Sequence, residues 1–302
     1  METKILDKVN SPADLRGLSI DEMNTLSAEM RELIIKKVNA IGGHLAPNLG
    51  FVEATIALHY VFNSPIDKLV FDVSHQCYPH KILTGRKEGF TNPENYMKYT
   101  GYTAPEESAH DLFKVGHTST SVSLATGLAK GRDLRGGKEN IVAIIGDGSL
   151  SGGEAFEGLD NAAVLGSNII VIVNDNDMSI AKNEGGLYGN LKLLRDTNGE
   201  AECNFFKALG FEYHYLNDGH DIQAMIDLFN KVKDSNHPVL IHLRTIKGKG
   251  FEAAELDKEK YHWILPGTLD KKDNITQNSK TEDYGSITAD YIENKYNEDN
   301  TV

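Results

Sequence analysis

The chain has 302 residues, of which 40% are hydrophobic and 25% are charged. This globular composition excludes a disordered tail, a collagen and a coiled coil. A formal net charge of −13 argues against a nucleic-acid or membrane-surface partner, although a local positive site could still hold a small anion. Apolar runs such as 169–173 are too short to cross a bilayer, and the N-terminus lacks the apolar segment of a signal peptide. Because only Cys77 and Cys203 occur, we expect no disulfide framework and a cytoplasmic location.

The first part of the chain predicts helices around one short strand. Apolar residues recur at helical spacing over 19–40, and the two glycines that follow end this helix. The pattern predicts further helices over 53–63 and 121–134. A short buried strand is predicted over 68–73.

The central part predicts a parallel sheet. An apolar strand over 140–145, a helix over 152–166 and a second apolar strand over 168–173 form a βαβ unit. Continuously apolar strands are typical of sheets buried on both faces. The pattern continues with a helix over 202–209, a strand over 211–216, a helix over 221–234 and a strand over 238–245. We therefore predict one doubly wound α/β domain over 1–266.

The end of the chain differs in composition. Residues 267–302 are acidic and poor in apolar side chains, which predicts a linker. A single helix is predicted over 284–297, with Ile287, Tyr291 and Ile292 on its apolar side. An isolated helix of this kind needs a surface to pack on.

Two polar motifs follow the two strands of the βαβ unit. The first is Gly146-Asp147-Gly148-Ser149, and the second is Asn174-Asp175-Asn176. Ligands bind at the carboxyl ends of parallel strands, so Asp147 and Asn176 can reach one point. Their oxygens suit Mg²⁺, which fills its shell with phosphate oxygens and water, and the following helix favours phosphate. Either motif alone is usually only a turn, but together they predict a magnesium–diphosphate site.

This pair of motifs is the signature of thiamine-diphosphate enzymes, and longer segments resemble the 1-deoxy-D-xylulose-5-phosphate synthase family. The resemblance covers most of residues 25–265, and transketolases are the next nearest relatives. It implies the thiamine-diphosphate-binding fold, specifically its diphosphate-binding domain, with thiamine diphosphate and Mg²⁺ as cofactors. The similar segments are 42–63, 71–90, 115–123, 174–191, 218–221 and 244–255.

The resemblance also implies roles for matching positions. Asp147, Asn176 and the Met178 carbonyl would bind the metal. His44 and His262 would face the reacting carbon as catalytic residues, because a histidine can transfer protons near neutral pH. The implied cofactor-binding residues are His75, Gly116, His117, Thr118, Gly148, Ser149, Asn176 and Phe251.

Other residues of these chemical types have simpler interpretations. We expect His59, His110 and His214 to be ordinary core or surface histidines. Lys247 and Lys249 could hold phosphate, but lysines in a glycine-rich loop are most often only solvated.

Three features depart from the family pattern. The chain has about half the family's length and lacks the domain that binds the aminopyrimidine and supplies the activating glutamate. The segment after the second motif is shortened to residues 192–201, which could alter access for the acceptor. Phe251 stands where the family has a tyrosine. We therefore expect a partner subunit that carries the missing domain.

Several functions remain open from the sequence. A synthase-like enzyme would decarboxylate pyruvate and condense the product with an aldose phosphate. A split transketolase would instead move a two-carbon ketol unit between sugars. A non-catalytic or truncated cofactor-binding protein is a third alternative. A dinucleotide-binding dehydrogenase is a weaker one, because no GxGxxG motif follows a first strand.

Overall fold

Five parallel strands form the central sheet of the protein, and one pair of neighbours, Ile169–Asp175 and Pro238–Arg244, is not consecutive in the chain. The structure is a computed structural model that describes residues 4–270, 284–299 and 301. The chain divides into two compact units, Met1–Thr268 and Leu269–Val302. The strands of the first unit are β1 (Gly43–His44), β2 (Lys68–Phe71), β3 (Ile141–Gly146), β4 (Ile169–Asp175), β5 (Glu212–Leu216), β6 (Pro238–Arg244) and β7 (Trp263–Ile264).

The sheet order is β2-β3-β4-β6-β5, with every neighbouring pair parallel. β3 and β4 lie side by side, with Gly146 opposite Asn174, so the two motifs follow directly at the same edge. All residues of β4 are buried, as expected for a strand covered on both faces. β1 and β7 form a separate antiparallel pair.

Helices cover both faces of this sheet. The first is capped by Ser19, whose hydroxyl accepts a hydrogen bond from Glu22 N, and it ends at Gly42 in the left-handed region. The helices of the first unit are α1 (Ile20–Ile41), α2 (Ala46–Leu49), α3 (Val52–Val61), α4 (Tyr78–Lys81), α5 (Glu88–Thr91), α6 (Ser121–Leu134), α7 (Asp147–Leu150), α8 (Gly153–Ala163), α9 (Gly186–Asp196), α10 (Phe205–Leu209), α11 (Ile222–Val232) and α12 (Glu252–Leu256). The second unit holds α13 (Tyr284–Glu298). Short 3-10 segments lie at Ile5–Lys8, Pro12–Gly17, Pro93–Asn95 and Thr268–Asp270, with a kinked turn at Ile82–Arg86.

The predicted α/β fold with its parallel sheet is confirmed, with two local differences. No helix is predicted over 192–201, but α9 continues to Asp196 and buries Leu194 there. The next helix begins only at Phe205, since the Asn204 side chain accepts hydrogen bonds from two amides and caps it there.

The second unit contains α13, which spans nearly the predicted range. Ile287, Tyr291 and Ile292 are exposed, each by more than half of its surface. Residues 271–283 of the predicted linker lie outside the described residues. No helix in the described ranges is both long and apolar enough to span a membrane.

Candidate cofactor and metal site

The carboxyl ends of β3 and β4 border a cavity of about 470 Å³. Gly146 and Asp147 reach it from β3 and α7, and Asn174 and Asn176 reach it from β4. Pockets of this size suit a small organic ligand. The cavity therefore lies where ligands bind in open parallel sheets.

Asp147 carries a buried carboxylate at the start of α7, where it is 1% exposed. Asn183 Nδ2 donates a hydrogen bond to its Oδ2 at 2.7 Å. Burial, followed by the neighbouring Asp175 carboxylate, raises the pKa of Asp147. A bound cation would offset both effects, so the position suits a metal ligand.

Asn176 offers an amide oxygen to the same cavity. Its Oδ1 is buried and has no hydrogen-bond partner in the described part of the chain. An unsatisfied buried acceptor is costly unless a ligand fills the gap. Met178 also lines the cavity, so the three predicted metal ligands lie around one space.

The metal would have to complete its shell from outside the protein. No group of three or more His, Cys, Asp or Glu side chains within the described ranges could hold an ion. Mg²⁺ commonly binds through one or two carboxylate or amide oxygens, with phosphate oxygens and water completing its octahedron. The donor set of Asp147 and Asn176 fits a magnesium–diphosphate complex.

Asp175, the last residue of β4, holds the Asn174–Asn176 segment in place, although it does not line the cavity. His242 Nε2 lies 2.7 Å from Asp175 Oδ2, and Arg195 of α9 donates to both oxygens at 2.6 and 2.8 Å. Burial alone would raise the pKa of Asp175, but the His242 hydrogen bond and the Arg195 charge lower it overall. Asp175 is therefore a buried anchor between Asn174 and Asn176.

Two glycines allow the loops to approach closely. A Cβ on Gly148 would lie 2.5 Å from Ser179 Cβ, and one on Gly152 would lie 2.0 Å from Ser119 Oγ. Ser119 Oγ also donates to Ser149 O at 2.7 Å. Larger side chains at Gly148 or Gly152 would push these segments apart.

Three histidines form the opposite wall of the cavity. The ring centroids of His44 lie 5.0 Å from His75 and 5.4 Å from His262, and the last two rings are 5.5 Å apart. The β1–β7 pair places His44 opposite Trp263 and so brings His262 alongside. The buried Asn48 side chain donates to His44 O at 2.9 Å and to His75 O at 2.8 Å, which fixes these two segments.

The surroundings of all three imidazoles favour the neutral form. Burial and then the Lys247 charge lower the pKa of His44 to about 4. Burial, Lys247 and His44 lower the pKa of His262 to about 3. Burial, with the two other rings, holds the pKa of His75 well below its usual range. The neutral rings can therefore donate hydrogen bonds to a ligand or accept them from it.

Lys247 is the cation of the cavity. It is 2% exposed, its Nζ donates to Ser179 O, and burial lowers its pKa to about 8 while Asp147 opposes that effect. Its ammonium therefore lies inside the protein, although lysines in such loops are most often solvated. In the sequence, the motif Lys247-Gly248-Lys249-Gly250 is the feature that indicates this lysine.

Ten of the predicted site residues line the cavity, and two do not. His117 is exposed, with its Nδ1 2.7 Å from the Thr118 carbonyl oxygen. Phe251 packs edge-on against Tyr261 at 5.6 Å. The ten are His44, His75, Gly116, Thr118, Asp147, Gly148, Ser149, Asn176, Met178 and His262. Lining residues for which the sequence predicted no role include Pro47, Val73, Gln76, Tyr102 and Ile180.

Solved structures identify the class of fold. Transketolase from Campylobacter jejuni superposes with a TM-score of 0.58 and 24% identity, over 87% of this chain and 41% of that one. Transketolase from Leishmania mexicana gives a TM-score of 0.59 with 18% identity, over 82% and 39% of the two chains. The first unit therefore has the thiamine-diphosphate-binding fold of transketolases.

Sequence comparisons then identify the family. The family model described as 1-deoxy-D-xylulose-5-phosphate synthase matches residues 6–203 and 194–245. The synthase of Desulforudis audaxviator is 42% identical over 94% of this chain and 50% of its own, and that of Dictyoglomus thermophilum is 44% identical over 86% and 48%. The chain belongs to the 1-deoxy-D-xylulose-5-phosphate synthase family and spans about half the length of these relatives.

Proposed function

We propose that this chain is the diphosphate- and magnesium-binding part of a thiamine-diphosphate transferase. The observation that carries the proposal is the pair of buried oxygens on Asp147 and Asn176, which face one cavity at adjacent strand ends. The carboxylate needs a counter-charge, and the amide oxygen needs a partner. Family membership supplies the chemical identity of a ligand that meets both needs.

In this proposal, Asp147, Asn176 and the Met178 carbonyl hold Mg²⁺. His75, Gly148 and Ser149 contact the diphosphate, and Gly116 and Thr118 line the cofactor cleft. His117 lies between these two lining residues in the chain, whereas Phe251 packs against Tyr261. When bound, thiamine diphosphate supplies a carbon nucleophile that adds to the carbonyl of a substrate.

His44 and His262 would act at the reacting carbonyl. Their rings lie 5.4 Å apart, and burial keeps both neutral. A neutral imidazole can hold a hydroxyl or carbonyl oxygen in position and pass its proton without attracting unwanted anions. His75 completes this wall, which excludes water from one side of the cavity.

The overall reaction would resemble that of the synthase relatives. Its proposed substrates are the ones that the family resemblance implies, pyruvate and an aldose phosphate. The half of the relatives that this sequence does not contain would come from a second polypeptide with the pyrimidine-binding domain and its glutamate. We place this complex in the cytoplasm. A split transketolase is the second candidate. The family model matches in two segments that overlap at 194–203, in the region where the resemblance implies a shortened segment over the active site.

Ligand-induced stabilisation tests the cofactor site. We expect Mg²⁺ with thiamine diphosphate at 100 times its Kd to raise the free energy of unfolding by about 2.7 kcal/mol. Asp147→Asn should abolish this gain, whereas Asp160→Asn on the exposed side of α8 should keep it. No gain in the wild type, or an equal gain in Asp147→Asn, would contradict the proposal.

Co-purification from the native host tests the partner. We expect affinity-tagged chain to recover a polypeptide that resembles the second half of the synthase relatives. The purified complex should release CO₂ from pyruvate, and the isolated chain should not. Equal turnover by the isolated chain would contradict the split arrangement, and ketose cleavage without pyruvate turnover would favour the transketolase alternative.

A further inference from the structure

A buried chain of polar contacts links α1 to the loop that carries Lys247. Arg31 donates to both carboxylate oxygens of Glu53 at 2.5 Å. His220 Nδ1 lies 3.0 Å from Glu53 Oε2, and His220 Nε2 lies 2.9 Å from the backbone nitrogen of Ile246. His220 therefore connects a buried ion pair to the residue immediately before Lys247.

The contacts of His220 define its tautomer. The Ile246 amide can only donate, so Nε2 must accept and carries no proton. Nδ1 then carries the proton and donates it to Glu53. A neutral ring in one orientation satisfies both partners, and Arg31 holds Glu53 in place through a bidentate pair.

The loop beyond Ile246 packs against backbone on both sides. A Cβ on Gly50 would lie 2.7 Å from Ile246 O, and Gly248 N donates to Ala46 O at 3.0 Å. Gly219, the neighbour of His220, donates its N–H to Arg244 O at 2.8 Å. The turn 218–221 therefore packs against the end of β6, where the loop that carries Lys247 begins.

We infer that His220 is a positioning residue that holds the Ile246 amide and thereby keeps the Lys247 ammonium in the cavity. The Lys247 side chain is 2% exposed, and its Nζ donates to Ser179 O beside Gly148. The inference rests on the proposed function, because Lys247 acts on the diphosphate that this function places there. His220 itself does not line the cavity.

Binding of magnesium pyrophosphate to the full chain, measured by calorimetry, tests this inference. The probe lacks a pyrimidine and needs no partner subunit. We expect His220→Leu, which loses both hydrogen bonds, to weaken binding about tenfold, or about 1.4 kcal/mol. His220→Gln keeps one donor and one acceptor and should bind within about threefold of wild type. His237→Leu, which breaks an exposed His–Glu pair, is the matched control.

A double-mutant cycle separates positioning from general loss of structure. In a Lys247→Met background, His220→Leu should cause no further loss of affinity, because His220 acts only through Lys247. Additive losses would overturn the inference, as would wild-type affinity in His220→Leu. If His220→Leu does not fold, His220→Asn replaces it, and its shorter amide should bind about tenfold more weakly than the Gln variant. A wild type that binds neither magnesium pyrophosphate nor thiamine diphosphate would instead refute the proposed function.

Discussion

Two groups of histidines in the first unit, one partly buried and one fully buried, use their polar atoms differently. The cavity histidines, His44, His75 and His262, lie within 5.5 Å of one another but share no hydrogen bond among the described contacts. The Nδ1 atoms of His75 and His262 are buried without a partner there. In the second group, His59 Nε2 lies 2.8 Å from His80 Nδ1, and His80 Nε2 lies 2.9 Å from Asp111 Oδ1.

The second group, which we call the histidine–aspartate chain, uses its polar atoms to hold a loop. Arg86 donates to both oxygens of Asp111 at 2.6 and 2.8 Å, and Ala104 N donates to Asp111 Oδ2 at 2.7 Å. Burial would raise the pKa of Asp111, but its bonds from His80 and Arg86 hold it well below its usual range. The same loop delivers Tyr102 to the cavity. His59 Nδ1 and Arg86 Nε are also buried without a partner in the described part of the chain, so an unsatisfied buried atom alone does not indicate a ligand. Linked side chains that do not line the cavity indicate a structural role here, and unsatisfied atoms that border a cavity indicate a ligand.

The largest expected effect comes from breaking the histidine–aspartate chain. Arg86→Met leaves Asp111 as a buried charge without its bidentate partner, and we expect a loss of about 3–5 kcal/mol in the free energy of unfolding. Urea denaturation of the full chain measures it. Lys98→Met removes an exposed pair with Glu88 and should cost less than about 1 kcal/mol. Equal losses of unfolding free energy in the two variants would show that the histidine–aspartate chain does not stabilise the fold.

The fold could be predicted from the sequence because two adjacent strands of the sheet, β3 and β4, are apolar runs. β3 and β4 each end in a polar motif, and parallel strands place such ends at one edge. This rule brought Asp147 and Asn176 to one cavity without any knowledge of side-chain contacts. The ranges of α6 and α13 followed from helical spacing in the same way.

The wall formed by the three histidines could not be predicted by the same reasoning. His44 and His262 meet because two-residue strands pair, and strands that short have no periodic pattern. Arg195 reaches Asp175 through an ion pair between separate elements. Only the family resemblance pointed to the two histidines, and nothing pointed to Arg195. Contacts between distant segments depend on packing, which spacing along the chain does not encode.

An intermediate effect is expected from pH, and it concerns the cavity histidines. The pKa of His262 is about 3 in the folded protein and about 6.5 when unfolded, so the unfolded state binds more protons between these values. Stability should therefore fall as the pH is lowered from 6.5 towards 3. His262→Gln should remove on the order of 1–2 kcal/mol of the loss between pH 7 and pH 5.

Unfolding in urea at both pH values measures this slope. His237→Gln, at a half-exposed histidine outside the cavity, is the control and should leave most of the slope in place. The histidine–aspartate chain is intact in both variants and contributes equally to each. If the change in stability with pH is the same in His262→Gln as in the wild type, the His262 ring is solvated in the folded protein. That result would contradict its proposed place in a cavity wall that excludes water.

The smallest effect is expected at His117, which adjoins the cavity without facing it. Its side chain is exposed, and its Nδ1 lies 2.7 Å from the neighbouring Thr118 carbonyl oxygen. If this segment contacts the cofactor through backbone alone, His117→Ala should bind magnesium pyrophosphate within about twofold of wild type. His75→Ala, which removes a buried ring from the cavity wall, should weaken binding at least tenfold by the same assay. A tenfold loss of affinity in His117→Ala would instead mean that the His117 ring turns into the cavity when the ligand binds. In that case, the exposure of a side chain in the free protein would not distinguish residues that line the cavity from their neighbours.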